Sequence, residues 1–179
     1  MHRNFLITKL NHYQPTDPYE RSMRDRILQF VKGNSHCFER SLLIGHITGS
    51  AFIVNKQRTR TLMTHHRTLD KWLQLGGHSD GEWNTLNVAL REATEESGID
   101  LIIAVSENIF DVDVHVIPER KNEPEHFHYD IRFLFEADDS QAIHITDESN
   151  DLAWIPLERM DEYTTEESVL RMVRKIVHK

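Results

Sequence analysis

Three glutamates with helical spacing, Glu92, Glu95 and Glu96, are the residues of this sequence best suited to metal chemistry. Positions i, i+3 and i+4 of an α-helix lie on one face over adjacent turns, so the three carboxylates would be neighbours. Without compensation they repel one another near the negative C-terminal end of the helix dipole. Mg²⁺ and Mn²⁺ prefer carboxylate oxygens, and such a cation would remove the repulsion. From the spacing alone, a metal site and a solvated acidic helix face both remain open.

The surrounding sequence predicts the helix that would carry these carboxylates, from about Thr85 to Ser97. Apolar residues recur on one face of this segment, namely Leu86, Ala89, Leu90 and Ala93. Gly98 follows at the position of a left-handed C-terminal cap. Ahead of the helix, Gly76 and Gly77 follow a predicted strand that ends near "KWLQL". Glycines at such a point permit a sharp turn and a close approach of the backbone to a ligand.

The segment from Gly76 to Ile99 resembles the Nudix box, whose pattern is G-x5-E-x7-R-E-U-x-E-E-x-G-U, with U an aliphatic residue. Counted from Gly77, the second half of the pattern is in register, with Arg91, Glu92, Ala93, Glu95, Glu96, Gly98 and Ile99 at the fixed positions. One departure is that the first glutamate of the pattern falls on Trp83, whereas Glu82 stands one residue earlier. Either the loop places Glu82 so that it supplies this carboxylate, or the role is missing.

The resemblance implies hydrolysis of a diphosphate linkage in a nucleoside diphosphate that is joined to another moiety, X. Glu92, Glu95 and Glu96 would hold one or more Mg²⁺ or Mn²⁺ ions. The backbone carbonyl near Gly76 or Gly77 would complete the metal shell, with Gly76 as the favoured position. Arg91 would orient Glu92 or Glu95, and Glu95 or Glu96 would accept the proton of the attacking water. The alternative is a Nudix-fold module that binds a nucleotide-like ligand without turning it over.

The resemblance also implies an α/β fold, namely an α/β/α sandwich with a mixed central sheet and, in this chain, an added N-terminal helix. We expect a single domain over residues 1–179, with a helical extension over 1–40 and the Nudix box at 76–99. The order of elements agrees, because helical and strand-like patterns alternate along the chain. Helices are predicted between Asp17 and Gly33 and over "TTEESVLRMVRKIVHK". Strands are predicted at "HITGSAFIVN", "RTLMTHH", "IFDVDVHVIP", "FHYDIRFLFEA" and within "DLAWIPLERM".

A second group of polar residues alternates along two of these strands. Asp111, Asp113 and His115 share one strand face, and His126, His128, Asp130 and Arg132 share a face of the other. If the two strands pair as a hairpin, these side chains form one polar surface. That surface is either a substrate pocket or accessory metal site, or an outer face exposed to solvent.

Further substrate-binding candidates lie in the loops beside these elements. His78 follows the two glycines and could reach a phosphate, and Glu82 lies in the next loop. Glu123 and Glu125 precede the second polar strand, in a loop from which the family often takes another carboxylate. Trp83 is expected to pack against protein rather than stack on a base.

Composition narrows the class of partner. The chain has 29 acidic and 21 basic residues and a net charge of −8, which opposes bulk attraction to nucleic acid or to an anionic membrane. Cys37 is the only cysteine, so no intrachain disulfide forms, and an inert thiol in a cytoplasmic setting is expected. No apolar run approaches the roughly 18 residues of a membrane span. We expect a phosphorylated small-molecule substrate, a nucleotide derivative by the resemblance, and leave monomer and homodimer open.

Overall fold

A computed structural model describes residues 2–119, 124–147 and 149–178 of the chain. This part contains α-helices at His2–His12 (α1), Pro18–Gly33 (α2), Thr85–Ser97 (α3) and Glu167–Val177 (α4). The strands are Gly45–Asn55 (β1), Arg60–His66 (β2), Lys71–Leu73 (β3), Leu75–His78 (β4), Ile102–Ala104 (β5), Asp111–Ile117 (β6), His126–Ala137 (β7) and Ser149–Pro156 (β8). A 3₁₀-helix, Leu157–Glu162, follows β8. The predicted α/β class with a mixed sheet is confirmed. Across the described helices, none is long and apolar enough to cross a membrane.

The N-terminal part contains two helices rather than the one that was predicted. Helix α2 begins as expected, because the Asp17 side chain accepts a hydrogen bond from the Glu20 backbone N–H at 2.8 Å. Helix α1 has no acidic residue in its first turn and was not predicted. It is stabilised by packing on α2, with Leu6 and Leu10 buried and the Arg3 guanidinium donating to the Val31 carbonyl at 3.0 Å.

Helix α3 has the bounds that the sequence predicted, and it ends at Gly98. This glycine has a φ of +67°, in the left-handed region that disfavours residues with a Cβ. Its backbone N–H donates to the Thr94 carbonyl at 2.9 Å, which satisfies one of the last carbonyls of the helix.

The strands form one eight-stranded sheet in which β1 lies between β2 and β7, and β4 also pairs with β1. Antiparallel pairs join β1 with β2, β2 with β3, β2 with β8, β5 with β7, and β6 with β7. The strands β6 and β7 pair as a hairpin, which meets the condition under which their polar residues form one surface. Its register sets Asp111 opposite Arg132, Asp113 opposite Asp130, and His115 opposite His128.

The polar face of this hairpin is buried, so the interpretation as an outer, solvent-exposed face was wrong. Asp111, Asp130 and Arg132 are 0%, 1% and 2% exposed. Asp130 has buried partners on β1, where the hydroxyls of Thr48 and Ser50 donate to it at 2.9 and 2.8 Å. A neighbouring strand that is distant in sequence therefore satisfies part of this buried polar face.

The chain separates into two compact units. The first comprises Met1–Ser50, Gly76–Ala89 and Glu107–Phe133, and the second comprises Ala51–Leu75, Leu90–Ser106 and Leu134–Lys179. In the first unit, the ring of Phe30 on α2 stacks on Tyr129 of β7, with centroids 3.8 Å apart. In the second unit, α4 packs on the 3₁₀-helix.

We predict that Gly49→Ala destabilises the protein by about 1–3 kcal/mol, because a Cβ on Gly49 would lie 2.6 Å from the backbone oxygen of Thr85. The matched control is Gly33→Ala at the end of α2, where an added Cβ meets no atom within 4 Å. Alanine there is expected to be neutral or to stabilise the helix by up to about 1 kcal/mol. The free energy of unfolding in urea measures both changes. Equal values for the two variants would contradict the close packing of β1 on α3.

Candidate functional site

The acidic face of α3 presents the predicted metal ligands on adjacent turns. Glu95 is exposed and Glu96 is half-buried. The Arg91 guanidinium donates to the Glu92 carboxylate at 2.7 Å, with side chains 40% and 19% exposed. A charge-assisted hydrogen bond of this length holds the Glu92 carboxylate in one direction. The face therefore offers three carboxylates as metal ligands, and Arg91 orients the first of them, Glu92.

The C-terminal end of α3 is anchored next to these glutamates. The His144 backbone N–H donates to the Ser97 carbonyl at 2.9 Å. A Cβ built on Gly98 would lie 2.7 Å from Cδ2 of the His144 ring, so only glycine fits this contact. Val88, Ala89 and Ala93 of the helix are buried, Glu92 and Glu96 are half-buried beside them, and Glu95 is exposed, so the acidic row borders the buried face of α3.

Strand β4 passes very close to β1 at Gly76. A Cβ built on Gly76 would lie 2.3 Å from Oγ and 2.7 Å from Cα of Ser50. Glycine is therefore required for the two strands to approach at this point. The sequence predicted that the glycines allow the backbone to approach a ligand closely. In the structure, Gly76 allows the backbone of β4 to approach Ser50 of β1.

Polar contacts hold the loop between β4 and α3, one from Arg40 outside the loop and one within it. The Arg40 guanidinium donates to both carboxylate oxygens of Asp80 at 2.6 Å. The Glu82 carboxylate accepts a hydrogen bond from the Asn84 backbone N–H at 2.7 Å, next to the start of α3. Trp83 packs against α1, with its ring centroid 5.0 Å from that of Phe5. The packing role expected of Trp83 is thus observed, and Glu82 stabilises the helix start.

Five histidines gather on neighbouring strands in the first unit. His46 of β1 is in ring contact with His78 of β4 and with His126 and His128 of β7, at centroid separations of 4.9 to 5.0 Å. His115 of β6 lies beside His128 at 5.5 Å. His126 and His128 were predicted to share a strand face, and His78 was predicted as a separate loop residue. The structure brings all of them together.

Within the described residues, one set of three potential ligands has its donor atoms within 4.8 Å of one another, and this set is His46, His78 and His128. His46 is buried, and His78 and His128 are half-buried. His46 is 4% exposed, and the Nε2 atom of His128 is buried and makes no hydrogen bond. Glu92, Glu95 and Glu96 do not form such a set in this part of the chain, and their role as ligands stays a prediction.

The environment of His78 and of His128 favours the neutral form of these two imidazoles. Burial lowers the pKa of His78 to about 4, and Arg40 and His46 act in the same direction. Burial also strongly lowers the pKa of His128, aided by His115, His78 and His46. A neutral imidazole has a free nitrogen lone pair and is the form that binds metals.

A buried network of charges lies on the same hairpin. The Arg132 guanidinium donates to Asp130 at 2.8 Å and to Asp111 and Asp113 at 3.4 and 3.5 Å. Burial alone would lower the pKa of Arg132, but the carboxylates of Asp113, Asp130 and Asp111 outweigh it and hold the pKa above its ordinary value. Asp130, proposed from the sequence as a substrate contact, is thus part of an internal ion network.

Sequence reasoning missed His46, Thr48 and Ser50, although a signal for them exists. These residues alternate with apolar or small ones along β1, which is the period of a strand with one polar face. Glu125 is exposed at the entry to β7, and Glu123 lies outside the described residues. No contact that would identify a substrate-binding role is established for Glu125.

We predict that Arg132→Met destabilises the fold by about 3–5 kcal/mol, because it leaves three carboxylates without their buried counter-charge. The matched control is Arg40→Met, which removes a pair with Asp80 whose side chains are 55% and 45% exposed. A loss below about 1 kcal/mol is expected there. Chemical denaturation followed by circular dichroism compares the two. A loss for Arg132→Met as small as that of the control would refute the network's contribution.

We predict that the Cys37 thiol is unreactive in the native protein. Cys37 is fully buried, and burial raises its pKa from 9.0 to about 11, against the opposing effect of Arg3. The thiolate is the reactive form, so alkylation by iodoacetamide near neutral pH should be at least about 100-fold slower than in the urea-unfolded chain. The native rate should rise about tenfold per pH unit up to that pKa. A native rate equal to the unfolded rate would contradict this assignment.

Comparison with known proteins agrees with the fold described above. A family model for the NUDIX domain matches residues 46–175. A C. elegans Ap4A hydrolase binary complex is 17% identical, with a TM-score of 0.59, covering 74% of this chain and 95% of that chain. The E. coli dihydroneopterin triphosphate pyrophosphohydrolase is 16% identical, with a TM-score of 0.57, covering 74% and 96%. A NUDIX-family hydrolase from Clostridium perfringens is 21% identical, with a TM-score of 0.52, covering 73% and 95%. A comparison with curated proteins finds no match.

Proposed function

Since the chain belongs to the NUDIX domain family, we propose that it hydrolyses a diphosphate linkage in a nucleoside diphosphate joined to another moiety, using Mg²⁺ or Mn²⁺. The family model and the hydrolases among the structural neighbours support hydrolysis of nucleoside diphosphate-linked compounds in general. The observation that carries the proposal for this chain is the acidic face of α3. It lies inside the matched region and keeps the arginine and three glutamates of the motif.

The donors on this face suit a hard divalent cation. Glu92, Glu95 and Glu96 offer carboxylate oxygens at i, i+3 and i+4, which Mg²⁺ and Mn²⁺ prefer over nitrogen or sulfur donors. These three residues would hold the ion. When bound, it would neutralise charge that accumulates on the phosphates and make a bound water more acidic.

Each residue of the face has a distinct role in this proposal. The 2.7 Å hydrogen bond from Arg91 positions Glu92 before any ligand arrives. Glu95 or Glu96 accepts the proton of the attacking water, since both stand one turn further along the same face. The hydrogen bond from the His144 backbone N–H to the Ser97 carbonyl holds the end of α3, so the glutamates project from a fixed support.

The names of the structural neighbours guide the choice of test substrates. One neighbour is an Ap4A hydrolase and another is a dihydroneopterin triphosphate pyrophosphohydrolase. A panel for this chain should therefore include dinucleoside polyphosphates, pterin triphosphates, nucleoside triphosphates and nucleoside diphosphate sugars. If one compound binds but yields no metal-dependent product, the result would favour the alternative, a Nudix-fold module that binds a nucleotide-like ligand without turnover.

We predict that Glu95→Gln and Glu96→Gln each lower turnover of the best panel substrate by at least about 100-fold, because each removes a metal-binding charge or the general base. The matched control is Asp100→Asn, which removes one negative charge from an exposed residue shortly after α3. It should keep turnover within about twofold. Release of phosphate-containing product with and without Mg²⁺ gives the comparison.

Both glutamine variants should keep the circular dichroism spectrum of the parent, since Glu95 is exposed and Glu96 is half-buried. Near-normal turnover in two correctly folded variants would overturn the proposed mechanism. A loss of turnover in Asp100→Asn equal to theirs would show that general charge, and not the motif position, is responsible.

A further inference from the structure

We propose that His46, His78 and His128 form a binding site for a divalent transition-metal ion of the zinc class. We call these three residues the histidine set. The proposed site differs in ligand chemistry from the carboxylate face of α3, and its residues all lie in the first unit. An experiment that refutes this site would therefore leave the hydrolytic proposal unaffected, and the reverse also holds.

The topology of the sheet brings the histidine set together. His46 is on β1, which pairs with β4 and lies next to β7 in the sheet, and these two strands carry His78 and His128. The donor atoms of the three side chains lie within 4.8 Å of one another. Ligand nitrogens around a tetrahedral zinc ion are about 3.3 Å apart, so modest side-chain rotations are enough to close the set on an ion.

The donors define which ion is expected. Three imidazole nitrogens suit Zn²⁺ and its usual substitute Co²⁺, whereas Mg²⁺ and Ca²⁺ prefer oxygen. Three histidines with a water molecule in the fourth position form a known type of zinc site. No carboxylate is in the set, so a magnesium ion that binds elsewhere on the chain is a poor competitor for it.

The surroundings favour a metal over an ordinary packed core. The Nε2 atom of His128 is buried and makes no hydrogen bond, and an unpaired buried polar atom is costly unless a ligand satisfies it. The neighbouring His126 differs, because its Nδ1 contacts the Pro124 carbonyl at 2.8 Å. The Pro124 carbonyl accepts a hydrogen bond from His126, whereas a bound ion would accept the lone pair of an unprotonated nitrogen of His128.

The adjacent His115 supplies a matched control for the set. Its ring lies 5.5 Å from that of His128, but it is outside the set, and its Nδ1 is 3.5 Å from the Asp113 carboxylate. Replacing His115 therefore removes one imidazole from the same hairpin without removing a proposed ligand. If the histidine set binds an ion, substitutions within the set should weaken binding, whereas substitution of His115 should not.

The first experiment is a titration of the full-length, chelator-treated protein with Co²⁺ in a large excess of Mg²⁺. The excess Mg²⁺ occupies oxygen-donor sites, so visible absorption reports on nitrogen coordination. We expect the intense bands of four-coordinate cobalt, with saturation at one ion per chain and displacement by Zn²⁺. Weak bands typical of octahedral cobalt, or no saturable bands, would overturn the proposal.

The second experiment compares variants by Zn²⁺ affinity, measured by competition with a chelating dye. His78→Gln and His128→Gln should each weaken binding at least 100-fold, and His115→Gln should change it by less than about threefold. Zn²⁺ should also raise the thermal midpoint of the parent and of His115→Gln, but not that of His78→Gln.

Folding of each variant is checked by near-ultraviolet circular dichroism before titration. His78 is only half-buried and is the variant expected to fold best. Equal zinc affinity in the parent and in a folded His78→Gln would refute the site. If neither ligand variant folds, the cobalt spectrum of the parent alone decides the question.

Discussion

Arg132 brings a positive charge into the protein interior, where it requires carboxylates to offset the cost of leaving water. Asp111 and Asp113 on β6 and Asp130 on β7 provide them. The hairpin register is what places Asp111 opposite Arg132, and a slip of one residue would turn this whole polar face the other way. The same register sets His128 within the histidine cluster. The electrostatics that hold the hairpin therefore also position its imidazoles.

The candidate metal ligands are therefore of two kinds, carboxylates on a helix and imidazoles on strands. Carboxylates project from a helix, where spacing of three and four residues gathers them on one side. Imidazoles are contributed by strands that are far apart in sequence and become neighbours through sheet pairing. The first arrangement is local and tolerates mobile side chains. The second depends on the pairing of several strands, and its members are buried or half-buried.

This contrast explains how much could be predicted from the sequence. The bounds of α3 and the β6–β7 hairpin follow from local patterns, namely apolar periodicity, a glycine cap and strict alternation. The partners of the buried Asp130 could not be predicted in this way, because Thr48 and Ser50 lie in a strand about 80 residues earlier. Helix α1 was missed since its stability comes from Leu6 and Leu10 packing rather than from a cap.

The contact between Trp83 and α1 extends the packed structure beyond the region that the family model matches. The family match starts at residue 46, after both N-terminal helices. Yet the indole that replaces the usual motif glutamate rests on Phe5, and Tyr129 of β7 is stacked against Phe30. A chain shortened to the family match would leave two large aromatic surfaces in water and would tend to aggregate. The start of the region that the family model matches and the start of the packed structure are therefore different.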